Sequence, residues 1–147
     1  MKPLVKSRWI SWCLLAVLLN GAGCSKHDKG MPKIQPVAGK VFVDGRPADQ
    51  AEISFHSLSG AAKNVQPFAV AGPDGVFRPT TLVESDGAPA GEYALTVIWP
   101  TASEEGGEIV KGPDRLGGRY NDPRNTPLKV VIREGKNELP PMQLSTH

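Results

Sequence analysis

From Pro36 onward apolar side chains recur at every second position, and Gly, Pro, Asp and Asn interrupt them at short intervals. A period of two sends alternate side chains to opposite faces of a pleated strand, so the pattern predicts an all-β chain of short strands. Val37, Gly39, Val41 and Val43 line one face of a first strand, which the Asp44-Gly45 turn ends. Ala51, Ile53 and Phe55 alternate with Glu52, Ser54 and His56 in a second, which points His56 outward. Phe68 and Val70 mark a third. Pro73-Asp74-Gly75 predicts a tight turn, since Pro presets φ and Gly accepts a positive one, and it leads into a fourth strand carrying Phe77.

The clearest strand runs from Glu92 to Trp99, with Tyr93, Leu95, Val97 and Trp99 on one face. Leu128, Val130 and Ile132 alternate with Lys129, Val131 and Arg133 in the next, and a turn at Gly135-Lys136-Asn137 follows. Leu139, Met142 and Leu144 close the domain around Pro140-Pro141. Prolines donate no ladder hydrogen bond, so this last strand is expected at a bulge or an edge. Seven strands result, the number of a β-sandwich. No segment of this region has amphipathic helix spacing over three turns.

The first two dozen residues break the pattern. Lys2, Lys6 and Arg8 precede an apolar run from Trp9 to Leu19, and the small residues Gly21, Ala22 and Gly23 lead to Cys24. A bilayer-spanning helix needs about 20 apolar residues, so this shorter run with basic and small flanks predicts a cleaved export signal. Ala22-Gly23-Cys24 resembles the lipobox of bacterial lipoproteins, with Gly21 where that motif usually carries an aliphatic residue. The resemblance implies a signal peptide over residues 1–23 and palmitate-type acylation of Cys24. The alternative is an ordinary signal cut near Ala22, which leaves Cys24 a free thiol. Residues 24–35, rich in Lys, Asp, Gly and Pro, read as a flexible tether on the order of 20 Å long. The domain is then residues 36–147.

Cleavage changes the charge. Of 17 Lys and Arg, Lys2, Lys6 and Arg8 leave while all 15 acidic residues stay, so 14 basic against 15 acidic side chains give a net charge of −1. A near-neutral domain lacks the basic face that nucleic acid requires. Cys13 leaves with the signal, so no intramolecular disulfide forms and stability must come from the core.

Several segments taken together are similar to one family. Val37-Ala38-Gly39-Lys40-Val41, Asp44-Gly45-Arg46-Pro47, Ile53-Ser54-Phe55, Asp74-Gly75-Val76-Phe77 and Pro89-Ala90-Gly91-Glu92-Tyr93 resemble, in order and spacing, the carboxypeptidase regulatory-like domain. Tyr120-Asn121-Asp122-Pro123 and Thr126-Pro127-Leu128 resemble its exported members. The resemblance runs from about Pro36 to Leu144 and implies a seven-stranded transthyretin-like (prealbumin-like) Greek-key sandwich that serves as an accessory or structural module.

Candidate chemistry is sparse. His27 falls in the tether, His56 in a strand and His147 at the terminus, which are poor positions for a shared site. Ser54 and Ser57 beside His56 have no nucleophile elbow. The transthyretin-related purine-pathway hydrolases end in Tyr-Arg-Gly-Ser, unlike Leu144-Ser145-Thr146-His147, and two tyrosines with scattered histidines do not suit an intradiol dioxygenase. Glu104, Glu105 and Glu108 lack the spaced Asp/Asn/Gly loop that wraps calcium. No catalytic residue, cofactor or metal is expected. Tyr93, two residues after Gly91, is expected to form a tyrosine corner, and Gly91, Asp74 and Gly75 are expected to be structural.

The stretch from Pro100 to Pro127 reads as a long irregular connection, acidic at first (Glu104, Glu105, Glu108) and then basic, with Gly106-Gly107 and Gly117-Gly118 as flexible points. Trp99, Lys111, Arg115, Arg119 and Arg124 make it a candidate partner surface, the alternative being that the two halves pair with each other over one end of the sandwich. The expected protein is a non-catalytic lipoprotein of the bacterial cell envelope. Its membrane contact is the lipid on Cys24, with the outer membrane mildly favoured because Ser25 is not the Asp of inner-membrane retention. Its expected role is a structural or protein-binding module; the rival role is a carbohydrate-binding accessory domain that stacks a sugar on Trp99.

Overall fold

The computed structural model describes residues 31–59, 62 and 64–147. The signal segment, Cys24 and the tether up to Gly30 lie outside the described residues. Met31–His147 forms one folded unit. Its strands are β1 (Ile34–Gln35), β2 (Val37–Val43), β3 (Arg46–Pro47), β4 (Glu52–Ser57), β5 (Phe68–Val70), β6 (Val76–Phe77) and β7 (Ala88–Pro89), then β8 (Gly91–Ile98), β9 (Pro100–Glu105), β10 (Glu108–Asp114), β11 (Lys129–Ile132), β12 (Asn137–Glu138) and β13 (Met142–Leu144). The unit is all-β, with no α-helix among the described residues.

The alternating apolar residues of β4, β8 and β11 drive the main sheet. Its order is β11-β8-β4-β5, antiparallel throughout. The β4–β8 ladder runs from Glu52↔Ile98 to Ser57↔Tyr93, which places Ile53, Phe55, Tyr93, Leu95 and Val97 on one fully buried face. The second sheet is built on β2. Val37, Val41 and Val43 are buried, and the Asp44-Gly45 turn, with both φ positive at 48° and 77°, folds β3 back onto Phe42 and Val43. The Gly72–Val76 turn holds Gly75 at φ 75°, with Asp74 Oδ1 accepting the Val76 N–H at 3.1 Å, and returns β6 onto Gly39 and Lys40.

The sheets meet through aromatic rings. Phe55 of β4 makes edge contacts with Phe77 of β6 at 6.4 Å and with Tyr93 of β8 at 5.8 Å between ring centres. The arrangement is a β-sandwich with one hydrophobic core, in which each large buried side chain contributes roughly 1.5–3 kcal/mol. Gly39 sits on the buried face of β2 because the Phe77 ring occupies the space a Cβ would fill.

The last strand combines a bulge and an edge. Leu139 N–H bonds the Ala38 carbonyl, then Pro140-Pro141 carry the chain past one β2 position before Met142 pairs with Val41. From Glu138 to Met142 the chain advances four residues while β2 advances three, from Ala38 to Val41. Both β12 and β13 run parallel to β2.

Three expectations change. Ile34 and Gln35, assigned to the tether by composition, form β1 and pair with Ala88–Pro89, where the Gln35 carbonyl lies against Gly87. In β5 the phase is reversed: Ala69 pairs with Ile53 and faces the core, while Phe68 and Val70 are 39% and 44% exposed on the other face. Pro100 to Pro127 is not one irregular connection. Its first half is the β9–β10 hairpin, turned at Gly106-Gly107 with φ of 64° and 87°.

Candidate functional site

Trp99 stands where β8 passes into the hairpin, and one carboxylate organises that corner. Asp114 Oδ1 accepts the N–H groups of Trp99 at 2.8 Å and Leu116 at 3.0 Å, and Oδ2 accepts that of Gly118 at 2.9 Å. The Trp99 carbonyl accepts the Arg115 N–H at 2.8 Å, and its indole Nε1 donates to the Asp49 carbonyl at 2.8 Å. The Arg115 guanidinium lies 4.5 Å from the centre of the Trp99 ring, a cation–π stack. One face of the indole and its only donor are therefore engaged within the chain.

The other basic residues are held elsewhere. Lys111 forms an ion pair with Glu52 on the outer face of the main sheet. Arg119 donates to the His147 carbonyl, and Arg124 lies 3.9 Å from Asp122 with its side chain almost fully exposed. Trp99 and Arg115 thus form one unit, whereas Lys111, Arg119 and Arg124 have separate partners. Among the described residues, no ion pair joins Glu104, Glu105 or Glu108 to the basic half. In the hairpin register Glu105 faces Glu108 and Glu104 faces Ile109. Asp114 carries no mark in the sequence except its place before a glycine pair.

The same use of carboxylates recurs around the domain. Asp86 accepts the N–H groups of Thr81, Leu82 and Val83 at 2.7–3.0 Å. Burial opposes its ionisation, but these donors together prevail and hold its carboxyl below the usual range. Asp44 accepts the Thr146 hydroxyl at 2.7 Å, which lowers its pKa and ties the C-terminus to the β2–β3 turn. Asp122 accepts the Arg124 N–H at 2.9 Å, the main cause of its lowered pKa, and also the Asn125 amide.

Tyr93 is fully buried and its hydroxyl donates to the Pro89 carbonyl at 2.9 Å, the geometry of a tyrosine corner. Burial pushes its pKa up to about 12, so the phenol remains a donor. Gly91 opens β8, with Ser59 Oγ 3.2 Å from where its Cβ would be. His56 lies on the outward face but is half-covered, with Nε2 2.9 Å from Thr96 Oγ1, and burial lowers its pKa. Ser57 Oγ donates to the Ser59 carbonyl at 2.6 Å rather than to His56.

One concavity was not apparent in the sequence. It opens between β11, at one end of the main sheet, and β12–β13, at one side of the second, with a volume of about 690 Å³. Leu128, Val130, Leu139 and Met142 form its apolar floor, and Lys129 and Arg133 lie along its rim. Two edges that belong to different sheets, joined through residues 133–136, make this groove.

No family model matches the chain, and no curated protein does. Among solved structures, it is similar to a DUF3823 family protein from Parabacteroides merdae, with a TM-score of 0.38 and 15% identity over 75% of this chain. The match covers 45% of that structure's chain.

Proposed function

We propose that the protein is a non-catalytic lipoprotein of the bacterial cell envelope, anchored through acyl chains on Cys24, whose transthyretin-like domain is a structural or protein-binding module. The observation that carries the non-catalytic reading is the use of the carboxylates. Asp44, Asp74, Asp86, Asp114 and Asp122 all accept hydrogen bonds that hold turns or termini, which suits a scaffold and leaves these groups engaged in structure. The carboxypeptidase regulatory-like assignment draws support from the four-stranded β11-β8-β4-β5 sheet opposed to the sheet built on β2. A sugar stacking on Trp99 has to displace Arg115 from that face or use the other, so the geometry favours protein over glycan as the partner.

The anchoring reading rests on the basic start, the short apolar run and Ala22-Gly23-Cys24. Two or more acyl chains give stable attachment where one is marginal. Mass spectrometry of the processed amino terminus tests it: a diacylglyceryl group is expected on Cys24, and Cys24→Ala is expected to yield an uncleaved precursor or a soluble product. An unmodified terminus on a protein that washes freely from membranes overturns the anchor.

A further inference from the structure

The two ends of the main sheet are finished differently. At the β5 end, Thr80 exchanges both backbone hydrogen bonds with Phe68, at 2.8 and 3.0 Å, and covers the edge at that residue. At the β11 end, the Leu95 N–H bonds the Leu128 carbonyl, which fixes the phase of the ladder. Leu128, Val130 and Ile132 direct their main-chain groups toward β8, so those of Lys129 and Val131 face away from it. Arg133 has the same phase, but Asn137 closes that end, accepting its N–H at 2.9 Å and donating to its carbonyl at 2.8 Å. The open edge is therefore Lys129–Val131, and it borders the 690 Å³ groove with its apolar floor.

We propose that this edge receives an extended segment of a partner protein, which adds a strand to β11 and seats alternate apolar side chains in the groove. Its other face carries acidic residues. On β11 the outward row reads Lys129, Val131, Arg133, and residues directly opposite on an added strand share that row. Lys136 is already paired with Glu138 at 2.9 Å, and Glu134 lies beyond the Asn137 closure. Glu92 flanks Val131 from β8 and makes no ion pair with either cation among the described residues. The complement is acidic–uncharged–acidic at alternate positions. A second copy of β11 fits poorly: a two-fold about Val131 sets Lys129 opposite Arg133, and one about Val130 brings the two Lys129 side chains onto a diagonal.

This inference deepens the protein-binding reading and is independent of the lipid on Cys24. The test uses the full chain and a fluorescent peptide, Ser-Val-Glu-Val-Thr-Val-Glu-Val-Ser, read by polarisation. Binding is expected, and a counterpart with Lys for Glu is expected to bind about tenfold more weakly. N-methylation of alternate amides on one peptide edge is expected to abolish binding. Lys129→Glu with Arg133→Glu is expected to reverse the peptide preference. Val131→Pro removes only an outward-facing donor, and is expected to abolish binding while the far-ultraviolet spectrum stays unchanged. Equal affinity for both peptides, or indifference to N-methylation and to Val131→Pro, overturns the proposal. So does a dimer in sedimentation that Val131→Pro dissolves. Photo-crosslinkers at Val131 and, on the hairpin, at Ile109 separate the two readings in intact cells: a partner captured only from Ile109 overturns the β11 assignment alone, and no partner from either position overturns the protein-binding role as well.

Discussion

The β4–β8 ladder and the β9–β10 hairpin are both antiparallel and similar in length, and they differ in what covers their faces. In β4–β8, Ile53, Phe55, Tyr93, Leu95 and Val97 are removed from solvent on one side, and the other side carries His56 against Thr96. In the hairpin every residue from Thr101 to Lys111 is exposed, Ile109 to 80%. The backbone pairing is of one kind in the two places, so pairing is not what separates them. A two-stranded ribbon without a buried face is marginal in water. The hairpin must therefore be held at its root, where Asp114 gathers Trp99, Leu116 and Gly118, or at its side, where Lys111 meets Glu52.

The largest effect is expected on the buried side of this comparison. Phe55 touches both Phe77 and Tyr93 and is wholly buried, so Phe55→Ala leaves a cavity at the junction of the two sheets. The expected loss is about 3–5 kcal/mol, read as a fall in the urea midpoint with the slope unchanged. A loss under about 1 kcal/mol would mean that the sheets do not depend on this aromatic contact and that the core is centred elsewhere.

The hairpin root comes next. Asp114→Ala removes the acceptor of three backbone N–H groups, at an expected cost of about 1–3 kcal/mol. The distribution of the effect matters more than its size. Hydrogen exchange is expected to lose protection across β9 and β10 and proteolysis to increase near Gly106-Gly107, while the amides of β4 and β8 keep most of theirs. Uniform loss throughout the domain would show that hairpin and sandwich open as one unit.

The same contrast explains what was legible in the sequence. The faces of β2, β4, β8 and β11 were readable because each alternates apolar and polar residues against a single core, and Pro140-Pro141 announced the break in the last strand. The hairpin was not, since Thr101 to Lys111 has no apolar face to generate a period. Its one signal was Gly106-Gly107, a pair suited to a two-residue turn with both φ positive, which without flanking alternation reads as mere flexibility. The phase of β5 was misjudged because Phe68 and Val70 are large and apolar, while the residue facing Ile53 is the small Ala69. At the candidate site, Trp99 and the basic residues were visible one by one. Their division into a stacked Trp99–Arg115 pair and separately held Lys111, Arg119 and Arg124 depends on the hairpin register, and Asp114 acts through backbone groups that no side-chain pattern displays. The groove was hidden for a similar reason: local sequence specifies an edge, but not which other edge lies across from it.

The smallest effect is expected at the side contact. Lys111 is 71% exposed at its side chain and Glu52 21%, so their ion pair is well hydrated and contributes at most about 1 kcal/mol. Lys111→Met keeps most of the aliphatic stem and removes the charge. The thermal midpoint is expected to stay nearly constant and hairpin protection to fall only slightly. In wild type, about 1 M NaCl is expected to produce a comparable change, because it shortens the screening length to roughly 3 Å. Salt should disturb the wild-type hairpin less than Asp114→Ala does, since hydrogen bonds at the half-buried root are screened less than an exposed pair. If Lys111→Met instead opens β9 and β10 as far as Asp114→Ala does, the hairpin is held by its flank against the main sheet, and the root serves only to turn the chain.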